Sequence, residues 1–503
     1  MRLYSYLNPQ NEPHFMTEKT TEPKLKHSLG LLDGTMIVAG SMIGSGIFIV
    51  SADIIRNVGS AGWLIVVWAL TGFMTLTAAL SYGELSAMYP KAGGQYVYLK
   101  EAYNKLIAFL YGWSFFAVIQ TGTIAAVGVA FSKFTAYLIP AFSEDNILWK
   151  LQTGVDNAGA AKFFTISAAQ VVSILLIILL TFINTRGVKS GKIIQNTFTL
   201  TKLFSLFGLI IFGFIMLKGD VWHANWGNAW HLQKLNTDGT FSQYTLGAAL
   251  GAVAAAMVGS IFSSDAWNNV TFIAGEMRNP KRNIALSLFL GTMIVTIIYV
   301  SANFVYTAVL PLHDIATAAK DRVAVSASHA IFGNVGTIII ALMIMISTFG
   351  CNNGLILSGA RVYYTMAKDG LFFKRTGELN KFAVPEFGLW IQCLVAGILC
   401  LSGRYGDLLD MISFVVVIFY VLTIIGIYIL RIKHPNAERP YKAFGYPVLP
   451  AIYIIMGLSF CALLIKYKPQ FTWPGLIIVL IGIPIYYISQ RNVKHEDTTV
   501  TNA

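Results

Sequence analysis

Apolar runs of bilayer length recur from Leu31 to Ile488, about twelve of them, with no long polar insert between. In hydrocarbon every backbone N–H and C=O has to be satisfied internally, and runs of this length do so as helices. The chain is 503 residues long, 55% hydrophobic and only 12% charged, about half the charge of a soluble domain. These features predict an all-α, polytopic membrane protein with one membrane domain at 29–490, between tails at 1–28 and 491–503. A net charge of +12 would suggest nucleic acid in a soluble protein, but here the basic residues mark alternate connections. Lys24 and Lys26 come first, then Lys91, Lys100 and Lys105, then Arg186, Lys189 and Lys192, then Arg278, Lys281 and Arg282. Lys368, Lys374, Arg375 and Lys381 follow, then Arg431, Lys433, Arg439 and Lys442, and last Arg491 and Lys494. The alternation puts both termini in the cytoplasm and requires an even number of spans. The first 28 residues lack the apolar core of a secretory leader, and Met16-Thr17-Glu18-Lys19 reads as an ordinary start.

The first run departs from a plain spanning helix. Ala39-Gly40-Ser41-Met42-Ile43-Gly44-Ser45-Gly46-Ile47-Phe48 carries glycine and serine where leucine would serve a helix better. A break there frees backbone groups at membrane depth, so it has to line a polar cavity or hold a ligand. The competing reading is a small-xxx-small packing face, Gly40-x-x-x-Gly44. The sixth run, Leu246 to Ala274, is interrupted in the same way by Gly259-Ser260-Ile261-Phe262-Ser263-Ser264-Asp265-Ala266-Trp267-Asn268-Asn269. Equivalent breaks five spans apart are the trace of an inverted repeat of five plus five helices, 29–217 and 246–430, followed by two extra helices at 448–488. An odd repeat length inverts the second copy, so the breaks face each other near the midplane.

At such a break the second half-helix offers N–H groups and a positive dipole end, suited to a carboxylate; Ser45, Gly46 and Ile47 stand there. The ends of the first halves, Met42 and Phe262 to Asp265, offer carbonyl oxygens suited to an ammonium group. Together they describe a receptor for a zwitterion, for which an amino acid is the economical ligand. Lys202 stands about ten residues into the run that starts near Ile193, too deep to snorkel easily. Its ammonium could replace a bound sodium ion or titrate in proton coupling; the alternative is a cytoplasm-facing lysine in a run whose start lies elsewhere. Asp265 could pair with a cation or cap the second half-helix. Phe262 reads as packing or as a gate. Ser41, Ser263, Asn268 and Asn353 are candidates to line the cavity, Asn352 and Asn353 alternatively bonding across helices. Glu84 and Glu276 are expected to pair with loop arginines and lysines. Cys351, Cys393, Cys400 and Cys461 lie in apolar runs as small hydrophobes, and no residue pattern calls for a metal or a cofactor.

The stretch Gly40 to Phe48 resembles the first-helix motif of the amino acid-polyamine-organocation superfamily, most closely its L-type amino-acid transporter family. Tyr89-Pro90-Lys91-Ala92-Gly93-Gly94-Gln95-Tyr96, Trp267-Asn268 with Gly275-Glu276-Met277-Arg278-Asn279-Pro280, and Arg439-Pro440-Tyr441-Lys442 agree in order and spacing over Leu29 to Ile488. The resemblance implies a LeuT-type fold with alternating access. It implies that Ser45 and Gly46 take the substrate carboxylate, while the carbonyls of Met42, Phe262 and Asp265 take its amine. It makes Phe262 the aromatic gate and puts Lys202 where sodium-coupled relatives bind sodium. Animal members use a cysteine in the outer loop between helices three and four to bond a heavy chain; no cysteine stands there, so no such partner is expected.

The function expected is transport of neutral amino acids across the plasma membrane, the inner membrane in a bacterium, by sodium-independent exchange or proton-linked uptake. The partners are then the substrate, the bilayer and, in the second case, protons. The alternative within transport is a cationic amino acid or amine, with Asp265 meeting its charge. An enzyme lacks a His-Glu-x-x-His or comparable cluster, and an amino-acid sensor lacks a large soluble output domain.

Overall fold

The computed structural model describes residues 27–155, 161–236, 238–402 and 405–500. Lys24, Lys26, the start at Met16 and most of the expected N-terminal tail lie outside these residues, as do residues 501–503 and the side chains of Lys189, Lys192, Arg491 and Lys494.

The first apolar run is three helices, α1 (Leu31–Met42), α2 (Gly46–Ile49) and α3 (Ser51–Val58). They are followed by α4 (Ala61–Met88) and α5 (Gln95–Ala102). The Pro/Gly turn at 89–94 leads into a stretch whose residue pattern suggests an amphipathic helix on the cytoplasmic face, but Gln95 to Leu99 of α5 are all buried, because α5 packs against the helix Tyr405–Lys433. Next come α6 (Lys105–Ser114) and α7 (Gln120–Leu138), joined by a π-helical turn at Phe115–Ile119. Apolarity alone would place the fourth run at about 164–183, starting at Phe164, but the helix begins only at Ala168. An antiparallel hairpin, β1 (Ile147–Val155) and β2 (Ala161–Ser167), occupies that region. Ser167 then opens α8 (Ala168–Thr185) with a capping box: its hydroxyl accepts from the Gln170 N–H at 3.4 Å, and Gln170 Oε1 accepts from the Ser167 N–H at 2.8 Å. The cap, not apolarity, sets where that helix starts.

The chain continues through α9 (Val188–Ile215), α10 (Gly219–Trp226), the small hairpin β3 (Gln233–Leu235) and β4 (Phe241–Gln243), α11 (Leu246–Ser263) and α12 (Asn269–Phe272). The remaining helices are α13 (Pro280–Val309), α14 (Leu312–Ala316), α15 (Val323–Lys368), α16 (Glu386–Ser402), α17 (Tyr405–Lys433), α18 (Val448–Tyr467) and α19 (Pro469–Val500). Gly333, at φ 67°, separates residues 323–332 from the rest of α15 as a short helix of its own.

Among the described residues ten helical segments are long and apolar enough to cross a bilayer, and the apolar helices Glu386–Leu401 and Thr472–Ile488 are shorter. Their outer faces carry large exposed apolar side chains, such as Phe204, Ile211, Ile338, Leu342 and Ile455. Such a surface is stable against hydrocarbon and not against water. This is a multi-pass helical membrane protein. The broken helices sit inside it: α1 packs against α9, α13 and α15, and α11 against α3, α4, α17 and α18. Nearly every residue from Gly34 to Ile49 is buried, which brings its backbone within reach of side chains from three other helices.

Candidate functional site

Helix α1 ends at Met42, where the backbone turns: the Ile43 N–H still reaches Ala39 O, but the Gly44 N–H folds back to Met42 O at 2.8 Å. Carbonyls at the break, those of Gly40, Ser41 and Ile43 among them, thereby lose their helical donors. Buried in a bundle, each needs another. Lys202 on α9 donates its ammonium to Gly40 O and, at 2.7 Å, to Ile43 O. Cys351 on α15 donates its thiol to Ser41 O at 3.0 Å, and Ser347 its hydroxyl to Ile43 O at 3.2 Å. The Tyr299 hydroxyl on α13 lies 2.9 Å from Met42 O, and that of Tyr306 donates to Ile47 O at 3.2 Å. Three neighbouring helices therefore replace the hydrogen bonds that the break removes.

At the second break the Asp265 N–H turns back to Phe262 O at 3.2 Å, and Ala266 takes the left-handed conformation, φ 62°, which a side chain with a Cβ adopts at a cost. Asp265 does not cap the half-helix that follows; Asn268 holds the N-cap position of α12. The Asp265 carboxylate instead accepts a 2.5 Å bond from the Tyr420 hydroxyl on α17. The Asn268 amide donates to Gln95 Oε1 at 2.9 Å, and the Gln95 amide to Thr423 Oγ1 at 3.0 Å, so polar contacts tie this break to α5 and α17.

The two breaks meet. The Tyr299 hydroxyl that serves Met42 O also lies 3.0 Å from Ser263 O, and Trp68 holds the Tyr299 ring edge-on at 5.1 Å. Gly46 lies against Ser263: a Cβ there would overlap Ser263 Oγ and stand 2.6 Å from Ser263 Cβ. Only glycine allows so close an approach of α2 to α11.

This closure decides which candidate residues share a space. Asp265 and Asn268, with Gln95, Gln120 and Tyr420, line a small cavity of about 10 Å³, room for about one water. Met42, Ser45, Gly46, Ile47 and Phe262 are buried but do not line it. Ser263 bonds back to Gly259 O at 2.6 Å. Asn353 accepts from the Asn184 amide at 2.9 Å, a bond between α15 and α8. The Ser41 hydroxyl is buried with no hydrogen-bond partner among the described residues.

The sequence matches the amino acid permease family over residues 29–487. The chain belongs to that family. Among its relatives, the b(0,+)-type amino acid transporter 1 of Mus musculus is 28% identical over 95% of this permease and 90% of its own length. The large neutral amino acids transporter small subunit 2 of Homo sapiens is 29% identical over 92% of the permease and 80% of itself. The serine/threonine exchanger SteT of Bacillus subtilis is 28% identical over 93% and 98%. Family and relatives alike are transporters of amino acids.

Two buried carboxylates support the permease outside its breaks. Glu84 on α4 accepts a bidentate pair of bonds from Arg431 at 3.0 and 2.6 Å, a third from Arg439 at 3.2 Å and a fourth from the Ala443 N–H at 2.7 Å. Glu276, expected to meet a loop cation, meets Arg361 of α15 at 2.9 Å, both side chains almost wholly buried. The backbone of Glu276 also accepts from the N–H groups of Ser28 and Leu29, and the Arg278 N–H returns to Leu29 O, so the segment entering α1 is laid along residues 276–278.

Of the residues that hold the first break, Lys202 stands out in sequence as a charge inside an apolar run. Tyr299, Tyr306, Ser347 and Cys351 escape that reading. Their trace is spacing: Ser347 and Cys351 are four apart and Tyr299 and Tyr306 seven apart, each pair on one helical face.

Proposed function

We propose that the permease carries neutral L-amino acids by alternating access without sodium, through exchange or proton-linked uptake. The observation that carries this reading is the Lys202 ammonium on the carbonyls of Gly40 and Ile43, beside the Ser347 hydroxyl. A fixed cation among carbonyl and hydroxyl oxygens takes the place of a mobile one. The names of the relatives support neutral substrates and exchange: one speaks of large neutral amino acids, another of a serine/threonine exchanger. The alternative, a cationic substrate paired with Asp265, loses force because that carboxylate is already bonded to Tyr420.

In this reading the carboxylate of the substrate lies at Ser45, Gly46 and Ile47, where the first turn of α2 lacks helical acceptors. Its amine uses the remaining lone pairs of the carbonyls of Met42, Phe262 and Asp265. Phe262 closes over it, with Ser41, Ser263, Asn268 and Asn353 as wider lining. Gly46 against Ser263 leaves no room for a substrate, so loading requires α2 and α11 to part. The order of helices supports the repeat: α1 to α9 supply one broken and four further spans, α11 to α17 the same, and α18 and α19 make twelve. Basic residues in alternate connections support cytoplasmic termini and a plasma-membrane, or bacterial inner-membrane, location. The outer hairpin β1–β2 contains no cysteine, and no disulfide-linked heavy chain is expected there.

Counterflow into proteoliposomes tests the reading. Labelled leucine or serine is expected to be displaced by unlabelled neutral amino acids and not by lysine or glutamate, equally in sodium and in choline. Displacement by lysine alone would favour the cationic alternative.

A further inference from the structure

A groove of about 840 Å³ runs along the outside of the bundle between α4 and α13, away from both breaks. Leu76 and Leu80 of α4 and Leu286, Phe289 and Met293 of α13 line it, and at one end it meets the loop that follows α17. Lys281, Arg282 and Lys442 stand at that end. From Lys281 to Met293 is about 18 Å of helix, comparable to the hydrocarbon depth of one leaflet, about 15 Å. The groove therefore has the length of an acyl chain and a cationic end where the headgroup would lie.

We propose that this groove binds one anionic phospholipid, its phosphate among Lys281, Arg282 and Lys442 and one chain along Leu80, Leu286 and Phe289. The proposal rests on the membrane-spanning fold and not on the transported substrate. Charge selects the occupant. Glu438 lies 3.7 Å from Lys281 with both side chains exposed, a weak, screened pair, and no acid is among the described residues that line the groove itself, so three cations set against this one carboxylate leave two net positive charges at its end. Glu84, the buried acid nearby, is taken by Arg431, Arg439 and the Ala443 N–H and offers no compensation. A zwitterionic lipid would leave the excess charge unmet; an anionic one meets it. The end of the groove is a built feature: Tyr441 lies against α4 so closely that a methyl group at Gly83 would stand 2.7 Å from its ring.

Native mass spectrometry of the full-length permease, delipidated in detergent and titrated with phosphatidylglycerol or with phosphatidylcholine of the same chains, tests this. Phosphatidylglycerol is expected to bind at least tenfold more tightly. The triple variant Lys281→Ala, Arg282→Ala, Lys442→Ala should weaken it roughly fivefold per charge, about a hundredfold in all, and leave phosphatidylcholine unchanged. Ala285→Trp, which fills the groove and keeps the cations, should also displace phosphatidylglycerol; if that variant does not fold, Leu76→Phe narrows the groove from the other wall. Equal binding of the two lipids, binding unaffected by removal of the cations, binding unaffected by filling the groove, or equal binding of the soluble headgroup glycerophosphoglycerol would each overturn the proposal.

Discussion

Lys202→Met keeps most of the apolar stem of the lysine and removes the ammonium that holds the first break. Two charge-assisted bonds go, to Gly40 O and to Ile43 O. Ile43 O keeps Ser347, but among the described residues no other donor reaches Gly40 O, so one buried carbonyl is orphaned. A charge-assisted bond contributes about 1.5–3 kcal/mol, and the ammonium no longer has to be desolvated, so a net loss of about 3 kcal/mol is expected in the conformation that needs the tether. That shifts the balance between conformers about a hundredfold. Counterflow of labelled amino acid in proteoliposomes should fall at least tenfold in Lys202→Met, and replacing sodium by choline should leave the wild type unchanged. Wild-type counterflow in Lys202→Met, or wild-type uptake that stops in choline, would refute the role given to this ammonium.

Gly46→Ala should abolish counterflow because its methyl group overlaps Ser263, and the double variant Gly46→Ala, Ser263→Gly should restore a measurable part of it; a double variant as dead as the single one counts against the α2–α11 closure. Phe262→Ala should lower the maximal uptake rate more than it weakens substrate binding measured by ligand-induced thermal stabilisation, since closure and not the zwitterion contacts is lost; unchanged uptake and binding would leave the ring a packing residue. Arg361→Leu strands the buried Glu276 carboxylate and should destabilise the permease by about 3–5 kcal/mol, whereas Arg361→Leu with Glu276→Leu should recover most of that in thermal unfolding. Equal stability of the two variants would show that the pair is not coupled.

The sequence alone determined the class of the molecule and the two places where helices break. Bilayer-length apolar runs leave the backbone no partner outside its own helix, and Gly44-Ser45-Gly46 and Ser263-Ser264-Asp265 are too polar and too flexible to continue one. Lys202 was legible for a related reason: a charge ten residues into an apolar run needs a polar partner, and freed carbonyls were the nearest in prospect. Sequence did not reveal where those carbonyls turn. Hydropathy treats Tyr299, Tyr306, Ser347 and Cys351 as unremarkable members of apolar spans, and only the packing of α13 and α15 against α1 brings them to the break. For Asp265 the sequence left a cation partner and a helix cap both open; the approach of α17 gave its carboxylate to Tyr420 instead. Glu276 lies near a basic connection in sequence, yet its partner is Arg361, 85 residues later on a buried helix face. Helix breaking is a local property, set by residues that neighbours in sequence can reveal. The choice of which donor satisfies a freed carbonyl or a buried carboxylate depends on distances of about 3 Å between helices far apart in the chain, and tertiary packing alone sets those distances.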